Sequence, residues 1–236
     1  MSNTRSSTLS PVGLKILVGV VVLLVLPLLY LSFTTLMAGI TGRQAQMFLD
    51  DWGQKGNDPS EKAWQFALDA AARSLEWTPG NGAGHADRLG RIYEWYRVSQ
   101  PFGDADAEPA RRKAVEAYRQ SVEARPLWPY TRIQLAYAKL RLLEFDDEFH
   151  QQLAEARRLA PWRVRIHGPL AEIGMIAWPQ LSEQEKAETW QSLELVLRYD
   201  PSRAKPLQDL AERAGLTTAM CKAVDSELLK QRRWCL

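Results

Sequence analysis

Three histidines, two cysteines and one run of adjacent carboxylates are the residues with which this 236-residue chain could do chemistry. His85, His150 and His167 do not fall at metal-ligand spacing. There is no H-E-x-x-H, no histidine pair one helical turn apart and no facial-triad pattern. Each is expected to be a surface histidine or a hydrogen-bonded one. Asp146-Asp147-Glu148 could be read as a glycosidase pair, but such carboxylates must approach a bond from two sides, and neighbours in sequence do not. Placed after Phe145 and before an Ala-rich segment, they suit a helix N-cap and its dipole. No G-x-S-x-G elbow, Walker loop or dinucleotide fingerprint occurs; Gly80–His85 (GNGAGH) follows a helical pattern and a proline, and reads as a turn. Cys221 and Cys235 lack a CxxC pattern; they either pair in an oxidising compartment or stay as thiols. The chain therefore reads as a non-enzyme, with no catalytic, metal-binding or cofactor-binding residues and no cofactor.

Nine tryptophans are the compositional signal. Trp64, Trp95, Trp178 and Trp190 lie in apolar helical patterns and are expected in the core. Trp128 and Trp162 border prolines and are expected to be partly exposed, while Trp52 is close enough to a membrane to be interfacial. The formal charge is +2. Arg5 and Lys15 precede the apolar segment, and the remaining 28 basic residues balance 28 acidic ones, so no electrostatic footprint for nucleic acid is present.

What must position these residues begins with an anchor. Ile16–Gly42 is an uncharged run of 27 residues bracketed by Lys15 and Arg43. About 20 apolar residues span a bilayer core, whereas a cleaved signal peptide has a shorter apolar stretch and a small-residue cleavage site. The run reads as an uncleaved transmembrane anchor at 16–42, preceded by a short basic tail at 1–15. The short tail and long C-terminal part favour a domain outside the cytoplasm. A juxtamembrane linker is expected at 43–59, a helical repeat domain at 60–215 and a C-terminal segment at 216–236.

Beyond the anchor no strand pattern is convincing. Asp58-Pro59-Ser60-Glu61 reads as an N-cap, a first-turn proline and an N3 carboxylate, and Ser182–Glu185 as a capping box. Four segments close on a proline: LEWTP, VEARP, RRLAP and LRYDP, ending at Pro79, Pro126, Pro161 and Pro201. A tetratricopeptide repeat is about 34 residues long and ends on such a proline, and the Pro126–Pro161 interval fits. Leu89-Gly90-x-x-Tyr93 matches the first repeat helix. Ala67, and Ala114 with Tyr118, hold the small-residue and large-residue positions of the second. Val98–Glu108 is an insertion. The expected fold is all-α: an N-terminal transmembrane helix followed by a tetratricopeptide-like α-solenoid of antiparallel helix pairs.

One block carries a more specific resemblance. Arg125, Pro126, Pro129, Tyr130, Leu135, Ala136, Lys139, Asp147, Phe149, Pro161 and Trp162 resemble the pattern of VpsP-like proteins of bacterial exopolysaccharide gene clusters. The likeness extends through Trp178 and LAERAG to Cys221. It implies a membrane-anchored accessory protein of polysaccharide production and biofilm formation; together with the anchor's orientation, the expected place is the bacterial inner membrane with a periplasmic repeat domain. It implies partners among the membrane proteins of polysaccharide polymerisation or export. By repeat register, Asp87, Arg91, Glu94, Thr131 and Lys139 are expected in a concave partner-binding groove, with Trp128 and Arg132 as further contacts. The alternative is a glycan-binding module using Trp128 and Trp162 with Arg132 or Arg165.

Overall fold

A computed structural model describes residues 11–235; the basic tail expected at 1–15 therefore lies mostly outside the described residues. Among the described residues the chain is all-helical, with eleven α-helices and no strands. One helix, α1 (Pro11–Lys55), is long and apolar enough to cross a membrane by length and composition. It runs through Pro27 without a break. Its side chains are exposed up to Phe33, and burial begins at Thr34.

The linker expected at 43–59 is not one. Helix α1 continues through Lys55 and buries Ala38, Ala45, Leu49 and Trp52 against the helices that follow. The spacing of the buried set Thr34, Ala38, Thr41, Ala45, Leu49 and Trp52 alternates between three and four residues, which keeps them on one face. The second half of the same helix is thus the first helix of the packed helical domain. Trp52, expected at the membrane interface, is 4% exposed and stacks near Trp95.

The helices α2 (Glu61–Glu76), α3 (Ala83–Glu94), α4 (Glu108–Ala124), α5 (Pro129–Arg141), α6 (Asp147–Leu159), α7 (Val164–Ile176) and α8 (Glu183–Tyr199) follow, each packed on its predecessor. The shorter α9 (Ala204–Arg213), α10 (Thr217–Ala223) and α11 (Ser226–Gln231) close the C-terminal end. Pro79, Pro126, Pro161 and Pro201 fall just after α2, α4, α6 and α8, where a residue without an N–H stops the helix. The capping box at Ser182 and Glu185 forms, and Asp146 caps α6 by accepting from the Phe149 N–H at 3.0 Å. The cap of α2 is Ser60, not Asp58. Asp58 instead accepts from the backbone N–H and hydroxyl of Ser99, tying the α1–α2 turn to the segment after α3.

Paired contacts fix the helix directions. Early α2 meets late α3 (Trp64 donates to the Ile92 carbonyl), and late α2 meets early α3 (Ser74 with His85). In the same way Arg132 meets Gln152 and Lys139 meets Glu148 across α5 and α6. His167 meets Ser192 across α7 and α8. These neighbours are antiparallel. Helices α1 and α3 run parallel, as Gln46 with Arg88 and Trp52 with Trp95 show; so do α3 and α5, through Asp87 with Thr131 and Val98 with Arg141. Gly90 lets α3 and α4 close together: a Cβ there would lie 2.6 Å from the Tyr118 ring. The insertion after α3 is pinned by Arg111, which donates to the carbonyls of Gln100, Pro101 and Arg141. A disulfide joins Cys221 to Cys235, closing α10 onto the C-terminal segment.

Candidate binding groove

Parallel α3, α5 and α7 line a cleft of about 390 Å³. Each contributes residues one helical turn apart: Arg91 and Glu94 from α3, Gln134, Tyr137 and Arg141 from α5, Pro169 and Glu172 from α7. The repeated i, i+3 spacing, extended to i+7 in α5, puts one stripe of each helix on the same wall. Trp95 and Val98 close one end.

The charges in the cleft are held apart rather than neutralised in pairs. Glu94 is half-buried and accepts from the Tyr118 hydroxyl at 2.5 Å. Burial pushes its carboxyl up to about 7, against the pull of that hydrogen bond and of Arg141 and Arg91. Tyr118, fully buried behind it, is raised well above an ordinary tyrosine, first by burial and then by the Glu94 charge. Tyr137 donates to Glu172 at 3.2 Å, and its hydroxyl is raised by burial and by that carboxylate. Arg141 holds the Val98 carbonyl at 2.6 Å and stands over the Phe102 ring. The result is a floor of two carboxyl groups and two arginines between aromatic walls. Such a floor offers hydrogen-bond donors and acceptors side by side.

Of the residues expected in a groove, the structure brings Arg91 and Glu94 together there. Asp87 lies one turn earlier on α3 and accepts from the buried Thr131 hydroxyl at 2.6 Å, so it links α3 to α5. Lys139 is not in the groove. It is fully buried on the α6 side of α5, with its ammonium 2.8 Å from both Asp146 and Glu148 and 3.6 Å from Glu144. Arg132 is also buried, donating twice to the Pro126 carbonyl and once to Gln152. It holds the α4–α5 turn and is not free to meet a partner. Trp128 is 42% exposed on that same turn, beneath the Arg125 guanidinium at 5.4 Å, away from the groove. The groove residues missed at sequence level are Gln134, Tyr137, Arg141 and Glu172; their shared register with Arg91 and Glu94 was the available signal.

The other chemical candidates are absorbed by structure. His85 meets Ser74, His150 meets Glu185 at 2.6 Å, and buried His167 meets Ser192 and the Pro161 carbonyl. Among the described residues no cluster of histidine, cysteine and carboxylate could hold a metal ion. Compared with protein-family models the chain matches none, and compared with curated proteins it has no significant match.

Proposed function

We propose that the chain is a non-catalytic, single-pass membrane scaffold whose tetratricopeptide-like repeats bind a protein segment of a polysaccharide polymerisation or export system. The groove between α3, α5 and α7 carries this reading. Three parallel helices presenting the same register make the kind of continuous surface on which helical repeats take a partner. Helix α1 supplies the anchor. The exopolysaccharide part is supported by the resemblance of Arg125–Cys221 to VpsP-like proteins. The Cys221–Cys235 bridge supports a domain in an oxidising compartment, hence the periplasmic side of an inner membrane. Glycan binding is less well supported, because Arg132 is committed to the Pro126 carbonyl and Gln152.

A pull-down from detergent-solubilised membranes with the full chain tests the proposal. The expected result is recovery of a polysaccharide polymerase or exporter by the native chain and loss of it by Arg91→Glu with an unchanged melting temperature. Recovery of division or secretion proteins instead would overturn the exopolysaccharide part. Equal recovery by both chains would overturn the groove. For topology, a phosphatase reporter fused after Leu236 is expected to be active only outside the cytoplasm.

A further inference from the structure

We infer that the helical domain lies down on the bilayer its anchor crosses, with the turns that follow α2, α4, α6 and α8 set against anionic lipid headgroups. This rests on α1 being a membrane span. Because α1 enters the domain from one side, the alternation of directions returns every even-numbered helix to that side. Asn81, in the α2–α3 turn, donates to the Ala124 carbonyl at the end of α4, and Trp162 and Tyr199 line one cleft from the next two turns. The turns therefore share an edge.

The depth of that edge follows from the anchor. Trp77 packs edge-on against Phe33 at 5.7 Å, and Thr78 and Pro79 line a cleft with Tyr30 and Thr34. From Ile16 to Phe33 a helix rises about 27 Å, close to the ~30 Å of a hydrocarbon core. The first turn thus stands level with the bilayer boundary, where tryptophan is favoured. The later turns repeat its character: Leu127 is 74% exposed, Trp162 77% and Tyr199 65%. These are the large apolar side chains a water-facing turn would least retain.

Charge gives an independent argument. A helix N-terminus favours acidic residues in its first turn. Helices α2, α4, α6 and α8, which start on the far edge, all have them. Helices α3, α5, α7 and α9, which start on the near edge, have none. Exposed Arg163 and Arg165 stand at the start of α7 instead, and Arg203 and Lys205, paired with Asp200 and Asp209, stand at the start of α9. Basic residues at the positive end of a helix oppose the dipole, and an anionic surface outside the protein removes that conflict.

Spin labels on the full chain in phosphatidylglycerol-containing nanodiscs test this, since the chain's own cysteines are paired. Three separate substitutions carry the label: Leu24→Cys in the span, Leu127→Cys on the near edge and Ala105→Cys on the far edge. The oxygen-to-nickel accessibility ratio is expected to be highest at 24, severalfold above the water-like value at 127, and water-like at 105. The ratio at 127 should fall in nanodiscs of phosphatidylcholine alone. A water-like label at 127 with an immersed label at 24 overturns the inference and leaves the anchor standing. A water-like label at 24 overturns both. Equal immersion at 127 in the two lipids overturns the anionic preference.

Discussion

The two faces of α5 carry similar residues to opposite ends. On the α6 side, Lys139 is closed off among Asp146, Glu148 and Glu144, with its charge answered several times over. On the α3 and α7 side, Glu94, Arg91, Arg141 and Glu172 share an open cleft, and Glu94 is held by a tyrosine hydroxyl rather than by an ion pair. The first cluster spends its charges on the fold; in the second Arg141 is also committed, to the Val98 carbonyl, while Arg91 stands half-buried at the cleft. What separates them is burial and partner count, not residue type.

The largest expected effect strikes the closed cluster. Lys139→Ala removes the buried cation and leaves three carboxylates facing one another; with those carboxylates part-exposed, a loss of about 2–3 kcal/mol is expected in denaturant unfolding. A loss below 0.5 kcal/mol would mean that the cluster is no tighter than a surface pair. Next comes Gly90→Ala, which drives a Cβ to 2.6 Å from the Tyr118 ring behind Glu94. About 1–3 kcal/mol is expected from the strain, read as a lower melting temperature.

The third prediction sets the two clusters against each other in pH. Glu94 has a folded pKa of about 7, above its ordinary 4.5, so between those values the folded chain keeps a proton the unfolded chain has lost. Its contribution is fully present below 4.5 and is lost as pH rises through 7. Asp146 and Glu148 are shifted the other way. Burial opposes the shift at Asp146, but its hydrogen bonds to Lys139 and to Phe149 N–H win, while at Glu148 the Arg119 hydrogen bond leads. Their contribution is present above ordinary carboxylate values and lost as pH falls through the depressed ones. Glu94→Gln should therefore flatten the stability profile between pH 4.5 and 7, gaining about 1–2 kcal/mol at the alkaline end once partial exposure is allowed for. An unchanged profile in denaturant melts across that window would remove Glu94 from the comparison. The smallest expected effect on stability is Arg91→Ala, within about 0.5 kcal/mol, because its charge acts on Glu94 only as the last of the pulls on that carboxyl and its side chain is half-exposed. Its consequence belongs in partner affinity, measured by titration of the recovered partner.

Much of the chain was legible before the structure. Four prolines marked the ends of α2, α4, α6 and α8 because a residue lacking an N–H is disfavoured past a helix's first turn, although Pro27 and Pro169 are carried inside α1 and α7. Ser182–Glu185 and Asp146 were readable as caps because capping is local. Of the residues expected in a groove, Arg91 and Glu94 do line this cleft, on the wall that α3 contributes. Lys139 misled because the repeat register was applied without the phase of α5 itself: two residues beyond Tyr137, it lies on the opposite side of that helix, whereas Arg141 lies on the same side. Arg132 misled because nothing in its neighbourhood signals that Gln152, on the next helix, receives it.

The sequence by itself determined what is written in short-range chemistry: an apolar run long enough to span a bilayer, helices with their starts and stops, and the absence of any motif for a metal or nucleophile. Only the tertiary structure decided where the exposed apolar part of α1 ends. The residues from Thr34 to Trp52 continue the same helix, and their burial depends on α2 and α3 arriving against them. It also decided which charges are enclosed, that Cys221 meets Cys235, and that Trp162 and Tyr199 are left exposed beside one cleft. Each of these depends on which distant segments come together, and a linear pattern with a period of a few residues does not encode that.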